Sequence, residues 1–211
     1  MEKHPPTYAV LTGDIVKSTA IHHESLRLLF KDMKQAALRF AGLYPNSVVG
    51  GLAVTQGDRW QITLRRHDLA ERLTVLMTAT ARKHGQITRI AIGLGAVDRL
   101  VSKHISESTG EAFTLSGHAL GELEKSIYKK QYWRVEGKNA HPCRRILIAL
   151  LGDIASMWTR QQAEAVSLLV LREMPEQIAQ SLGIQRSALA KRLASARWRF
   201  FEMALNEEDV L

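Results

Sequence analysis

Strand-like and helix-like runs alternate through the first two-thirds of the chain in the order β-α-β-β-α-β-α-β, and few small folds accept that order. The first strand is Thr7–Asp14, rich in apolar and β-branched residues and stopped by Gly13-Asp14. A helix follows from about His22 to Ala41, with Leu26, Leu29, Phe30, Met33, Ala37, Phe40 and Ala41 at the three-and-four spacing of one buried stripe. Gly42 and Pro45 stop it. A hairpin over 47–64 carries Gly57-Asp58 at its tip, and Trp60 and Ile62 alternate there with Gln61 and Thr63. The second helix, His67 to Lys83, presents Leu69, Leu73, Leu76 and Met77 on one face and ends at His84-Gly85. Gln86–Val97 reads as a strand, 98–110 as an exposed polar loop, Ala112–Ile127 as a third helix and Gln131–Val135 as a short strand. This is the split βαβ plan: an α+β, ferredoxin-like domain with an antiparallel sheet and its helices on one face.

Beyond that domain the pattern turns wholly helical. Gly137–Pro142 holds Gly, Asn and Pro without periodicity and marks a boundary. The expected organisation is a sheet domain over 1–142, a connecting helix over 143–158 and a small all-α helix-turn-helix domain over 159–211. Thr159 suits the N-cap of a first helix and Pro175 the opening turn of a second. Ile178, Ala179 and Leu182 form the second helix's buried face, Gly183 supplies a tight turn, and Ile184, Leu189 and Leu193 bury the third. Three helices with this turn resemble the sigma-factor region-four type of helix-turn-helix. By that resemblance the recognition helix starts near Gln185, with Gln185, Arg186, Ser187 and Lys191 toward base edges in the major groove of double-stranded DNA. Arg192 and Arg197, with Arg199, are placed to meet phosphates. The bland alternative is a helical dimerisation module whose basic face is merely solvated.

Charge favours a polyanionic partner but does not sit on the helical tail. The net charge is +8, and residues 1–158 hold 22 Lys and Arg against 14 Asp and Glu, whereas 159–211 hold 7 against 7. The tail is polarised rather than basic: Arg186 to Arg199 lack acids, and Glu202, Glu207, Glu208 and Asp209 close the chain. A single cysteine, Cys143, excludes an internal disulfide framework and fits a cytoplasmic location. No membrane span is expected, since Ile146–Leu151 is too short and follows Arg144-Arg145. The opening Met1-Glu-Lys-His-Pro-Pro has no signal-peptide core.

The two Gly-Asp pairs are the chemistry candidates. One carboxylate at a strand end and another at a hairpin tip can share a cation such as Mg²⁺ against phosphate oxygens, making Asp14 and Asp58 candidate metal ligands. The turn after the first strand, with Ile15, Lys17, Ser18 and Thr19, and Gly57 at the tip, can offer backbone and side-chain donors to phosphate. The alternative is that both aspartates simply cap their turns. Histidines 67, 84, 104, 118 and 141 are scattered and read as solvated, and His22-His23 diverge at a helix start.

Four segments carry a resemblance to a known family: Thr12-Gly-Asp-Ile-Val-Lys-Ser18, Gln56-Gly-Asp-Arg-Trp-Gln61, Arg89-Ile-Ala-Ile-Gly-Leu-Gly95 and Ser108-Thr-Gly-Glu-Ala-Phe113. Their order and spacing resemble the SatD family and, more distantly, the class III nucleotidyl cyclase domain. The resemblance implies a cyclase-like palm with Asp14 and Asp58 at the metal positions, a nucleotide or other phosphate-bearing ligand, and a homodimer. It also implies departures. The cyclase base-contacting lysine falls at Val54, and the asparagine and arginine of the later helix fall near Gly121 and Lys125. Glycine offers no amide and lysine lacks the guanidinium fork, so binding without turnover is favoured over cyclisation. The expectation is a DNA-binding transcriptional regulator with a ligand-sensing domain. The rival is a metal-dependent nucleotide-processing enzyme that uses its helical tail for assembly.

Overall fold

Alternation along one central strand fixes the layers. The computed structural model describes residues 6–102, 105–125 and 131–206, and in it β1 spans Tyr8–Ile15. Ala9, Leu11 and Ile15 of β1 join a buried cluster with Leu29, Met33 and Phe40 of α1 (His23–Leu43) and Leu73, Leu76 and Met77 of α2 (Ala70–Lys83). Thr12 faces the other way, where its Oγ1 lies 2.9 Å from Oγ of Ser116 on α3 (Glu111–Lys125). Each large apolar side chain withdrawn from water in this way contributes about 1.5–3 kcal/mol.

The remaining strands are β2 (Val48–Gln56), β3 (Arg59–Leu64), β4 (Thr88–Gly95) and β5 (Trp133–Gly137), in the sheet order β2-β3-β1-β4-β5. Three pairings are antiparallel, as the sequence predicts, but β5 lies parallel to β4. A parallel pair needs a long crossover, and α3 supplies it. That crossover also corrects the placing of helices on one face. Ala119, Leu120 and Leu123 of α3 pack with Ala91 of β4, on the face opposite α1 and α2.

Gly13 is a packing residue as much as a strand end. A Cβ there would lie 2.4 Å from Cζ2 of the Trp60 indole, whose Nε1 donates to Thr88 Oγ1 at 3.2 Å. Gly57 at the hairpin tip has φ +59, a left-handed conformation that suits glycine.

Among the described residues five helices follow: α4 (Pro142–Ser156), α5 (Arg160–Val170), α6 (Pro175–Ser181), α7 (Arg186–Ser195) and α8 (Trp198–Asn206). Thr159 caps α5 reciprocally with Gln162, a capping box, and Pro175 opens α6. Ala165, Ile178, Ala179 and Leu189 form a small core among α5, α6 and α7, with Leu182, Ile184 and Leu193 against it. The main core runs on into this region through Trp158, Val166 and Phe201. The Trp158 and Phe201 ring centroids are 4.9 Å apart, and Trp158 Nε1 donates to the Ala196 carbonyl at 2.9 Å. Among the described residues no helix is long and apolar enough to cross a membrane. Ile127 of the expected third helix, His104, and the closing acids Glu207, Glu208 and Asp209 lie outside the described residues.

Candidate functional site

The turn leaving β1 divides the sequence-predicted ligand residues between two cavities. Lys17 takes a left-handed conformation, φ 56 and ψ 37, and begins a single 3-10 turn over Ser18–Ala20. Ser18 and Thr19 line a groove of about 840 Å³ together with Gly57 and Asp58 of the hairpin tip. Lys17 instead lines a cavity of about 880 Å³ on the other side of the turn. The side chain of Ile15 is buried in the core, so only its backbone is available to a ligand.

The far wall of the groove is α1. Arg27, Lys31 and Lys34 bring positive charge to it, His23 also lines it, and Leu26 and Phe30 give it an apolar floor. Arg27 is engaged by Glu24, with Nε and Nη2 donating to its carboxylate at 2.8 and 2.6 Å. Lys31 and Lys34 are exposed and, among the described residues, have no acidic partner. Hydroxyls at one wall and two lysines at the other suit a phosphate-bearing ligand. The sequence reading does not single out these lysines, whose signal is a position off the apolar stripe of the first helix.

Asp14 faces the α3 side of the sheet, and there the structure adds a partner that the sequence reading missed. Arg89 stands directly opposite it across the β1–β4 ladder. The guanidinium donates to both carboxylate oxygens, Nε to Oδ1 at 2.9 Å and Nη2 to Oδ2 at 2.5 Å. Burial raises the Asp14 pKa above its ordinary value, Arg89 opposes that, and the carboxylates of Glu124 and Asp58 raise it further. Burial pulls the Arg89 guanidinium downward, but its bond to Asp14 leaves it raised overall. Glu124, at the end of α3, is itself held by Arg59 beside the hairpin tip at 2.7 Å. A mixed network of Asp14, Arg89, Glu124 and Arg59 therefore stands beside Asp58.

This arrangement does not fit a divalent cation as it stands. Both oxygens of Asp14 are engaged, its side chain is 5% exposed, and among the described residues no group of three or more His, Cys, Asp or Glu could hold a metal ion. His84, expected to be solvated, is half-buried and lies 2.9 Å from Asp32. Val54 is exposed, and Lys125 is the last residue of α3.

The outer face of α7 collects most of the residues predicted to meet DNA. Gln185, at its N-cap, and Arg186, Ser187 and Lys191 are exposed. Arg186 also bonds Glu176 of α6 at 2.9 Å, tying the two helices together across the turn. Arg192 is half-buried, while Arg197 is exposed at the α7–α8 corner with φ 59.

No family model matches this sequence, and no curated protein is significantly similar to it. Among solved structures the chain is similar to a bacterial light-regulated adenylyl cyclase, with 11% identity and a TM-score of 0.41. The match covers 61% of this chain and 42% of that one, so the chain spans less than half the length of that protein. A likeness that slight carries no argument.

Proposed function

We propose that the protein is a DNA-binding transcriptional regulator, of SatD type, in which the sheet domain senses a nucleotide or other phosphate-bearing ligand and α6 and α7 read duplex DNA. The observation that carries this reading is α1, which faces both ends of the device. Its first half lines the groove with Lys31 and Lys34. Its second half holds the segment leading into α6: Arg39 donates to Glu173 at 2.5 Å, and Arg172 donates to Tyr44 Oη at 2.9 Å with its guanidinium over the ring. A ligand that draws on α1 acts on the segment that positions α6 and α7, and preference for one arrangement of that segment would shift the population. Two copies would present paired α7 helices to a palindromic operator.

The sensing half is tested by titrating the full chain with ATP in a calorimeter. Lys31→Ala/Lys34→Ala removes two charge-assisted contacts and lowers affinity by about 10–100-fold. ATP binding that is indifferent to both lysines counts against the groove. ATP turnover that is lost in Asp14→Ala would favour the enzyme reading instead.

A further inference from the structure

The cavity on the other side of the β1–α1 turn, about 880 Å³, has a composition of its own. Lys17 from the turn and Arg160, the first residue of α5, both line it. Among the described residues neither cation has an acidic partner. The acid in its lining, Glu124, is already bonded to Arg59, and the charge of Arg89 is taken by Asp14. Arg160 is moreover held near a second guanidinium: Arg82 donates to the Trp158 carbonyl at 2.8 and 2.5 Å, and its proton affinity is lowered by burial and by Arg160.

Left-handed backbone lies beside both cations. Lys17 is a non-glycine residue in the left-handed region with no side-chain cap bond to offset it. At Gly85, φ +76, a Cβ would lie 2.7 Å from Nη2 of Arg160, so glycine there leaves room for the guanidinium. Ile21, Ile87 and Leu123 give the cavity apolar walls, and Tyr132 adds a ring. Two cations without an acidic partner among the described residues, beside apolar and aromatic surface in a space the size of a small-molecule pocket, match a dianion with an organic body.

We propose that this cavity is a second ligand site, taking a small organic phosphate monoester whose dianion sits between Lys17 and Arg160. Its body lies against Ile87, Leu123 and Tyr132. Arg160 opens α5, and α5 packs against α6 and α7 through Ala165, so an occupant joins the sheet to the helices that follow it. The site does not depend on the groove along α1.

The test is calorimetric titration of the full chain with AMP, with adenosine as the uncharged control. Lys17→Gly removes one cation while giving the turn a residue at ease in its conformation, so folding is preserved. Arg160→Ala removes the other. Each variant is expected to weaken AMP by at least about tenfold, the scale of one lost charge-assisted contact. In the Lys31→Ala/Lys34→Ala background, which disables the groove, AMP heat that depends on Lys17 and Arg160 is expected to remain, because separate sites are independent. AMP is also expected to slow hydrogen exchange in the first turn of α5. The assignment is overturned if, in that background, AMP produces no heat, adenosine binds as well as AMP, or AMP affinity survives both Lys17→Gly and Arg160→Ala. Failure of the groove is read separately, from ATP binding that survives the loss of Lys31 and Lys34.

Discussion

Arg89 holds both carboxylate oxygens of Asp14 from directly across the β1–β4 ladder, at 2.9 and 2.5 Å. A strand-end aspartate that sequence alone offers to a metal is thus already half of a buried ion pair. Removing one partner of such a pair leaves the other charge buried and uncompensated, which is why the two residues are best probed by titration as well as by deletion.

Burial lifts the Asp14 carboxyl above 3.8, against the pull of Arg89. The folded chain therefore keeps this proton to a higher pH than the unfolded chain does. The stability it contributes is complete below the unfolded value and is lost as pH rises through the folded value. A carbon chemical-shift titration of Asp14 is expected to show a midpoint above 3.8, moving further up in Arg89→Gln, which removes the lowering influence. A midpoint below 3.8 would mean that the ion pair outweighs burial.

Arg39 and Arg172 join α1 to the segment ahead of α6 from exposed positions. Pairs of this kind contribute under about 1 kcal/mol to stability. Arg39→Ala/Arg172→Ala is accordingly expected to leave the melting temperature and ATP affinity nearly unchanged. It is expected to abolish any ATP-dependent change in hydrogen exchange over α6 and α7. A change that persists in the double variant would route the coupling elsewhere.

Gly13→Ala tests the other half of the first Gly-Asp pair. A Cβ would meet the Trp60 ring at 2.4 Å and the Arg89 carbonyl at 2.7 Å. Overpacking of that kind costs about 1–3 kcal/mol, each kcal/mol lowering Tm by about 2–4 °C in a chain of this size. An unchanged Tm would show that Trp60 can move aside freely.

Much of the fold was legible because periodicity reports burial. The stripe of Leu26, Leu29, Phe30, Met33, Ala37, Phe40 and Ala41 predicts α1; five of these side chains are buried, and Leu26 and Ala41 are half-buried. Pro175, Ala179, Gly183 and Leu189 likewise predicted the α6–α7 turn and its small core. The face taken by α3 was not legible, because both sides of β4 are buried and Ala91 reads no differently from Ile90 or Ile92. Asp14, Ser18, Thr19 and Asp58 were visible in the Gly-Asp motifs. Arg89 stands in a strand motif that gives it no role by sequence, since its pairing with Asp14 depends on the β1–β4 register. Arg160 could not have been found at all from spacing, being 143 positions from Lys17, whose cavity it shares.

The central claim is that the outer face of α7 reads DNA. Its most direct test is selection from random duplexes, followed by anisotropy titration of wild type and Ser187→Ala/Lys191→Ala at two salt concentrations. The account predicts an enriched motif, weakened binding in the variant, and affinity that falls steeply with salt, with a log–log slope of about 0.9 per phosphate neutralised. No enriched motif, or binding indifferent to Ser187 and Lys191, would contradict it and leave α5 to α8 as an assembly module.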